Sequence, residues 1–168
     1  QVVDFLKDGK KVVGVQAVCT ETGRQIEVRS SCVINATGVW TDDVEQLARD
    51  KTAEIRQKKV RSSKGVHIVV PRDRIKSSTG LVSRTEKSVL FIIPWSDHWI
   101  IGTTDTDWAL DRAHPAATSN DIRYLLQRVN KLLENQLDTS DIQGVYVGLR
   151  PLLTGESDDT AKLSREHH

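Results

Sequence analysis

Arg61-Ser-Ser-Lys-Gly-Val-His-Ile-Val-Val70 is the stretch on which the fold reading turns. Its second half is an apolar run interrupted by one histidine, and Pro71 follows at once. Proline has no N–H to give to a ladder, so a strand over 61–70 closes there. The polar run 72–78 then crosses the surface. Three short strands are predicted after it, over 80–83, 88–94 and 98–102. The middle one, Val89-Leu-Phe-Ile-Ile93, is apolar on both faces and is therefore expected to be central. Thr103-Thr-Asp-Thr-Asp107 reads as a loop. Thr118 and Asp121 stand at capping-box spacing. Behind them Ile122, Leu125, Leu126, Val129, Leu132, Leu133 and Leu137 recur at helical intervals and predict a long helix over 120–137. Residues 145–150 return as a strand that ends at Pro151. The class is α+β, a mostly antiparallel sheet covered on one face by a long helix.

Upstream of this, the chain reads as a β-meander. Val13, Val15 and Ala17 alternate within 11–18, and Ile26 and Val28 face one way within 24–30, with Thr22-Gly23 as the turn between them. A short apolar strand over 31–35 leads into Ala36-Thr37-Gly38. Thr41 is a good N-cap, and Asp42, Asp43 and Glu45 put negative charge on the first helical turn. Val44, Leu47 and Ala48 form the expected buried stripe of a helix ending near Asp50. The organisation expected is therefore 1–50 and 51–168.

The chain has 168 residues, enough for one respectable core, and 24 basic against 23 acidic side chains give a net charge of +1. That balance supplies no bulk field for nucleic acid, so a bound anion would be held by a few placed arginines. No apolar run approaches the roughly 20 residues that span a bilayer. Cys19 and Cys32 fit no metal spacing and read as free thiols. His98, His114 and the terminal pair His167-His168 lack zinc-ligand spacing, and Glu156, Asp158 and Asp159 read as a solvated loop cluster, so no metal is expected.

Two strand positions carry the chemistry. Gly65 and His67 are two apart and share a face, as do Gly148 and Arg150, while Val145, Val147 and Leu149 face the opposite, buried side. Glycine weakens a strand and often marks close approach of a ligand or backbone. One beside a histidine and another beside an arginine suggest a sheet face cleared for a bound molecule. The same pattern also fits a hydrogen-bonded core histidine and a strand-end ion pair. Thr103, Thr104 and Asp105 resemble a hydroxyl–carboxylate set but fit better a turn in which the aspartate caps the backbone. Trp95 and Phe91 would exclude water from a site, and read more simply as core.

Several blocks, in order, resemble the flavin-dependent glycerol-3-phosphate dehydrogenases of the D-amino-acid-oxidase-like flavoproteins. They are Asn35-Ala-Thr-Gly38, Lys64-Gly-Val-His-Ile-Val-Val-Pro71, Ile93-Pro-Trp95, Ile101-Gly-Thr-Thr-Asp105, Gly148-Leu-Arg-Pro-Leu152 and Leu163-Ser-Arg-Glu-His167. The resemblance implies oxidation of sn-glycerol 3-phosphate to dihydroxyacetone phosphate with hydride transfer to FAD. It implies that His67 lines the substrate pocket, that Arg150 lies against flavin and substrate, both as catalytic residues, and that Arg165 binds the substrate phosphate. Ala36, Thr37 and Gly38 make the closing cofactor contact. Residues 1–50 become part of an FAD domain, and 51–168 the substrate-binding domain.

The Gly-x-Gly-x-x-Gly turn that cradles a dinucleotide pyrophosphate is not in this sequence, and there is no methionine. An internal piece of a larger flavoenzyme is therefore expected: FAD in the full-length enzyme, none bound to the fragment, which should be inactive and self-associate. A quinone-type electron acceptor and a cytoplasmic location, peripheral to the inner face of the membrane, follow from the resemblance. An amine-oxidase-type member of the same superfamily and a non-catalytic anion-binding module are the competing readings.

Overall fold

The computed structural model describes residues 1–49, 60–84 and 89–154. The chain divides into two compact units, Gln1–Val60 and Arg61–His168. Its architecture is α+β, with antiparallel sheets and few helices.

In the first unit, β1 (Val2–Asp8), β2 (Lys11–Val18) and β3 (Gln25–Arg29) form a meander in the order β1-β2-β3. Sequence reading found three strands here, but not these three. The first strand, β1, was missed because Val2-Val-Asp-Phe-Leu-Lys-Asp8 lacks clean alternation, and its register with β2 shifts twice. The strand expected over 31–35 does not form; instead the Ser30 hydroxyl donates to the Cys32 carbonyl at 2.7 Å and accepts from the Cys32 N–H at 3.3 Å. That local bonding competes with a ladder. After a 3₁₀ turn at Gly38–Trp40 comes α1 (Thr41–Ala48). Its N-cap is Trp40 rather than Thr41, whose hydroxyl donates back to the Gly38 carbonyl at 2.7 Å. Asp42 and Asp43 do sit in the first turn, but α1 buries no residue fully: of the expected stripe Val44 and Ala48 are half-buried and Leu47 is exposed.

The second unit holds β4 (Val60–Pro71), β5 (Leu81–Arg84), β6 (Val89–Trp95), β7 (His98–Gly102), β8 (Thr106–Asp107) and β9 (Gly144–Leu153). The sheet runs β5-β6-β7-β4-β8, with β9 also pairing β4. Pro71 ends β4, as its chemistry requires. In contrast, β9 continues through Pro151 to Leu153.

The core lies on one face of this sheet. Val66, Ile68 and Val70 of β4, Leu90 and Ile92 of β6, and Trp99 and Ile101 of β7 pack against Leu125 and Val129 of α2 (Ser119–Val129). Each fully buried aliphatic side chain of this kind is worth about 1.5–3 kcal/mol.

The expected long helix is shorter than its leucine pattern. It carries the predicted capping box at Thr118 and Asp121, but stops at Val129. The Asn130 side-chain amide then donates to the Leu137 carbonyl and accepts from the Leu137 N–H, both at 2.8 Å. This clamp delivers Leu137 to the core from irregular backbone. Leu132, which helical spacing would bury, is exposed.

Candidate active site on the open face of the sheet

The core side of β4 uses the even positions Val66, Ile68 and Val70, so Gly65, His67 and Val69 lie on the other face. Across the sheet the register sets Phe91, Gly102 and His67 in one row. On β9, Gly144, Tyr146, Gly148 and Arg150 share this face: a Cβ on Gly144 would touch Val69 at 3.5 Å, and the Tyr146 ring stacks on His67. His67 and Arg150 therefore stand on one face, opposite α2.

Two glycines on this face, Gly65 and Gly102, make room for the protein's own side chains. A Cβ on Gly65 would come within 2.8 Å of Arg150 Cζ, so the Arg150 side chain crosses β4 where β4 is bare. Beyond it the guanidinium donates to Thr103 Oγ1 at 2.7 Å and to the Thr104 carbonyl at 3.2 Å. A Cβ on Gly102 would come within 2.6 Å of His67 Cγ, so the imidazole lies over that glycine. Sequence reading took Gly65 and Gly148 as clearance for a ligand. In fact Gly65 clears a path for Arg150, Gly102 clears one for His67, and Gly148 has open space above it.

Thr103, Thr104 and Asp105 have a definite job that their types alone did not reveal. The β4 ladder pairs His67–Pro71 with 98–102 and Ser63–Lys64 with 106–107, leaving 65–66 opposite 103–105. There the buried Thr104 hydroxyl accepts from the Val66 N–H at 3.0 Å and donates to the Lys64 carbonyl at 3.4 Å, standing in for the missing ladder bonds. Asp105 accepts from the Ser63 hydroxyl, rather than simply capping a turn. The segment is thus a bulge that turns a hydroxyl and a carbonyl toward Arg150.

His67 is half-buried, stacked on Tyr146 with ring centroids 4.9 Å apart and planes at 9°. Among the described residues neither ring nitrogen has a hydrogen-bond partner, so both are free for a ligand. Burial first, and then the charge of Arg150, push its pKa below the ordinary histidine value. The imidazole is neutral at physiological pH and can take a proton.

Around it the open face is apolar. Phe91, Ile93 and Trp95 are 37%, 42% and 66% exposed, so Phe91 and Trp95 are surface here and not core. Val147 and Leu149 are half-buried on the α2 side as expected, but Val145 is exposed.

Lys64, neighbour of this face in sequence, belongs to the other. Its ammonium is 2.6 Å from Asp121 Oδ2 on α2, with both side chains nearly fully buried. Burial alone would raise the Asp121 pKa, but hydrogen bonds from Lys64 and from the Thr118 backbone and hydroxyl outweigh it and hold it below the usual carboxylate range.

In the first unit the Ala36-Thr37-Gly38 turn is preformed. Asn35 Oδ1 accepts from the Thr37 N–H at 3.3 Å and from its hydroxyl at 2.7 Å, and Gly38 has φ +60°. Ala36 and Thr37 are exposed. Arg165 and the cluster Glu156, Asp158 and Asp159 lie outside the described residues. A groove lined by Ile122, Leu126 and Asn130 runs along the outer side of α2 and shares no residue with the His67 face. Among the described residues no three His, Cys, Asp or Glu side chains gather to hold a metal.

The family model for FAD dependent oxidoreductases (DAO) matches residues 1–167, and the chain belongs to this family. It is 58% identical over 167 residues to glycerol-3-phosphate dehydrogenase of Mycobacterium leprae, and 59% identical over 167 residues to glycerol-3-phosphate dehydrogenase 2 of Mycobacterium tuberculosis. These matches cover 99% of this chain and 28% of each relative. Alpha-glycerophosphate oxidase of Enterococcus casseliflavus is 39% identical over 159 residues, covering 92% of this chain and 26% of that protein. A crystal structure of glycerol-3-phosphate dehydrogenase from Bacillus halodurans complexed with FAD matches with a TM-score of 0.79 at 34% identity, over 92% of this chain and 31% of that one. The chain thus spans roughly a quarter to a third of the length of these relatives.

Proposed function

We propose that this chain forms the substrate-binding part, with a piece of the FAD domain, of an enzyme that oxidises sn-glycerol 3-phosphate to dihydroxyacetone phosphate. The observation that carries the reading is the identity of 58–59% to glycerol-3-phosphate dehydrogenases along 99% of the chain. Residues 1–50 belong to the FAD domain and 51–168 to the substrate domain. The residues present suit a flavin: an exposed turn at Ala36, Thr37 and Gly38 offers backbone contacts, and the apolar open face with one fixed guanidinium suits a flat, partly charged ring. When bound, FAD accepts the hydride that leaves the substrate carbon.

The protein's own part is acid–base and electrostatic. His67, neutral and with no hydrogen-bond partner among the described residues, takes the hydroxyl proton as the carbonyl forms. Arg150 cannot lose its proton; held by Thr103 and Thr104, it stabilises negative charge developing on the substrate oxygen or the reduced cofactor. Arg165 supplies a planar fork for the phosphate.

The electron acceptor is a quinone, a choice supported by the higher identity to dehydrogenases than to oxidases. The protein is cytoplasmic and peripheral to the inner face of the membrane; among the described residues no helix is long and apolar enough to cross one. The exposed row Phe91, Ile93 and Trp95 supports self-association of the 168-residue chain on its own.

The test is turnover of glycerol 3-phosphate by the full-length protein, followed as dihydroxyacetone phosphate formed with a quinone analogue or with oxygen. Activity with sarcosine instead would favour the amine-oxidase reading. Binding of glycerol phosphate without turnover would favour the anion-binding module.

A further inference from the structure

We propose that Tyr146 is a positioning residue for His67: its ring, stacked flat on the imidazole, fixes the plane in which the histidine presents its nitrogens to the substrate hydroxyl. The inference rests on the reading of His67 as the proton acceptor given above.

A histidine that handles protons is commonly oriented through its second nitrogen, by a carboxylate or a backbone carbonyl. His67 has no such partner among the described residues, and what does fix its ring there is packing. The packing on the page is specific. Gly102 on β7 leaves a bare strand beneath the imidazole, and the Tyr146 ring on β9 lies parallel to it at 4.9 Å and 9°. That spacing and tilt belong to the favourable stacked arrangement of aromatic rings.

Tyr146 itself is 46% exposed, so its ring is not there to fill the core. Burial raises the pKa of its phenol, which stays protonated and adds no charge beside the imidazole. Among the described residues, Arg150 from β9 is the charge that acts on the ring, Gly102 of β7 lies beneath it, and the register sets Phe91 of β6 in the same row. Among the described residues, Tyr146 is therefore the side chain that can both set the ring plane and keep water from one of its faces.

The experiment uses the full-length protein with Tyr146→Phe and Tyr146→Leu, read by steady-state kinetics across pH and by titration of the His67 ring resonance in histidine-labelled protein. The resonance is assigned by its loss in His67→Gln. Tyr146→Phe keeps the stack and should stay within about twofold of the parent in kcat. Tyr146→Leu frees and hydrates the imidazole. Its kcat should fall several-fold to about tenfold with KM little changed, as expected from the usual strength of an aromatic pair. Its His67 titration, and the acid limb of its kcat profile, should move up toward the reference value of about 6.5.

An unchanged kcat and titration in Tyr146→Leu, with His67→Gln inactive, would overturn the role of Tyr146 alone. A Tyr146→Phe variant as impaired as Tyr146→Leu would also overturn it, since the hydroxyl and not the ring would then matter. Full activity in His67→Gln would instead overturn the proton-acceptor reading. Should Tyr146→Leu fail to fold, Tyr146→Trp replaces it: a flat ring should hold the His67 titration below the reference value, and a titration at that value would refute the stack.

Discussion

Replacing Lys64 by methionine removes a charge from the interior while keeping most of the side-chain volume. The ammonium lies 2.6 Å from Asp121 Oδ2, with side chains 2% and 6% exposed. It also donates to the Ala116 carbonyl at 3.2 Å and sits 4.9 Å from the centre of the Trp108 ring. After the substitution Asp121 keeps the Thr118 N–H and hydroxyl, both at 2.7 Å, but faces no cation. Leaving one member of a buried pair uncompensated costs about 3–5 kcal/mol. Whole-domain stability is only about 5–15 kcal/mol, so this is a large share of it. With a urea slope of about 2 kcal/mol per M, the unfolding midpoint should drop by about 2 M. Urea unfolding followed by the fluorescence of buried Trp99 measures it. The double variant Lys64→Met/Asp121→Asn removes both charges and should recover part of the loss, so the two substitutions are not additive. A loss below about 1 kcal/mol in Lys64→Met, the range of exposed pairs, would refute the claim that this bridge is buried and tied to the sheet–helix junction.

Three further outcomes follow from the same geometry. Gly65→Ala places a methyl where the Arg150 guanidinium crosses, so the flexible guanidinium must move aside at little cost in stability while kcat in the full-length enzyme should fall toward the value expected for Arg150→Ala; a parental kcat would show that Arg150 need not cross β4. His67→Ala should lower kcat by roughly 10²–10⁴-fold, whereas Arg165→Ala should act mainly on KM, because a phosphate contact is made in ground and transition states alike. Equal kcat losses with unchanged KM would mean that the roles are misassigned. Finally, acid should destabilise the fold in two windows. The depressed His67 pKa costs stability as pH falls below about 6.5, the unfolded value, and the depressed Asp121 pKa costs more as pH falls below about 4. His67→Gln should flatten the first slope and Asp121→Asn the second in stability–pH curves, and parallel curves for variants and parent would contradict both assignments.

The central strands of the second sheet, β4, β6 and β7, were legible in the sequence because alternation depends on nearest neighbours, whereas β1 and β8 were not. Period two placed Gly65 with His67, and the capping box fixed the start of α2 within a residue. The end of α2 was not legible from periodicity. Leu132, Leu133 and Leu137 continue the helical spacing, yet the backbone leaves the helix after Val129, and Leu137 reaches the core through the Asn130 clamp. Spacing reports which side chains are buried, not the backbone that carries them. The strand expected over 31–35 failed for a related reason, since a serine bonding its own neighbours leaves no trace in an apolar count. On the open face, residue types pointed to His67 and Arg150, which the structure places on one side of the sheet. They could not reveal Tyr146, Thr103 or Thr104, whose roles arise only when β9 and the 103–105 bulge flank β4. The one available signal was parity along β9, which places Tyr146 on the face of Arg150.

The block Lys64-Gly-Val-His67 shows why residue type alone misleads near a candidate catalytic histidine. A lysine three residues from a histidine invites a chemical role, yet alternation assigns the two to opposite faces of one strand. Lys64 and Val66 tie the sheet to α2, while Gly65 and His67 lie on the face away from it. The faces are nonetheless coupled through the backbone between them. Thr104 bonds the Lys64 carbonyl and the Val66 N–H, and the same bulge holds Arg150 through the Thr104 carbonyl and the Thr103 hydroxyl. A change at Lys64 therefore reaches the guanidinium only by disturbing the bulge, whereas a change at Gly65 meets it directly. Substitutions at these adjacent positions should divide accordingly, the first acting on stability and the second on kcat.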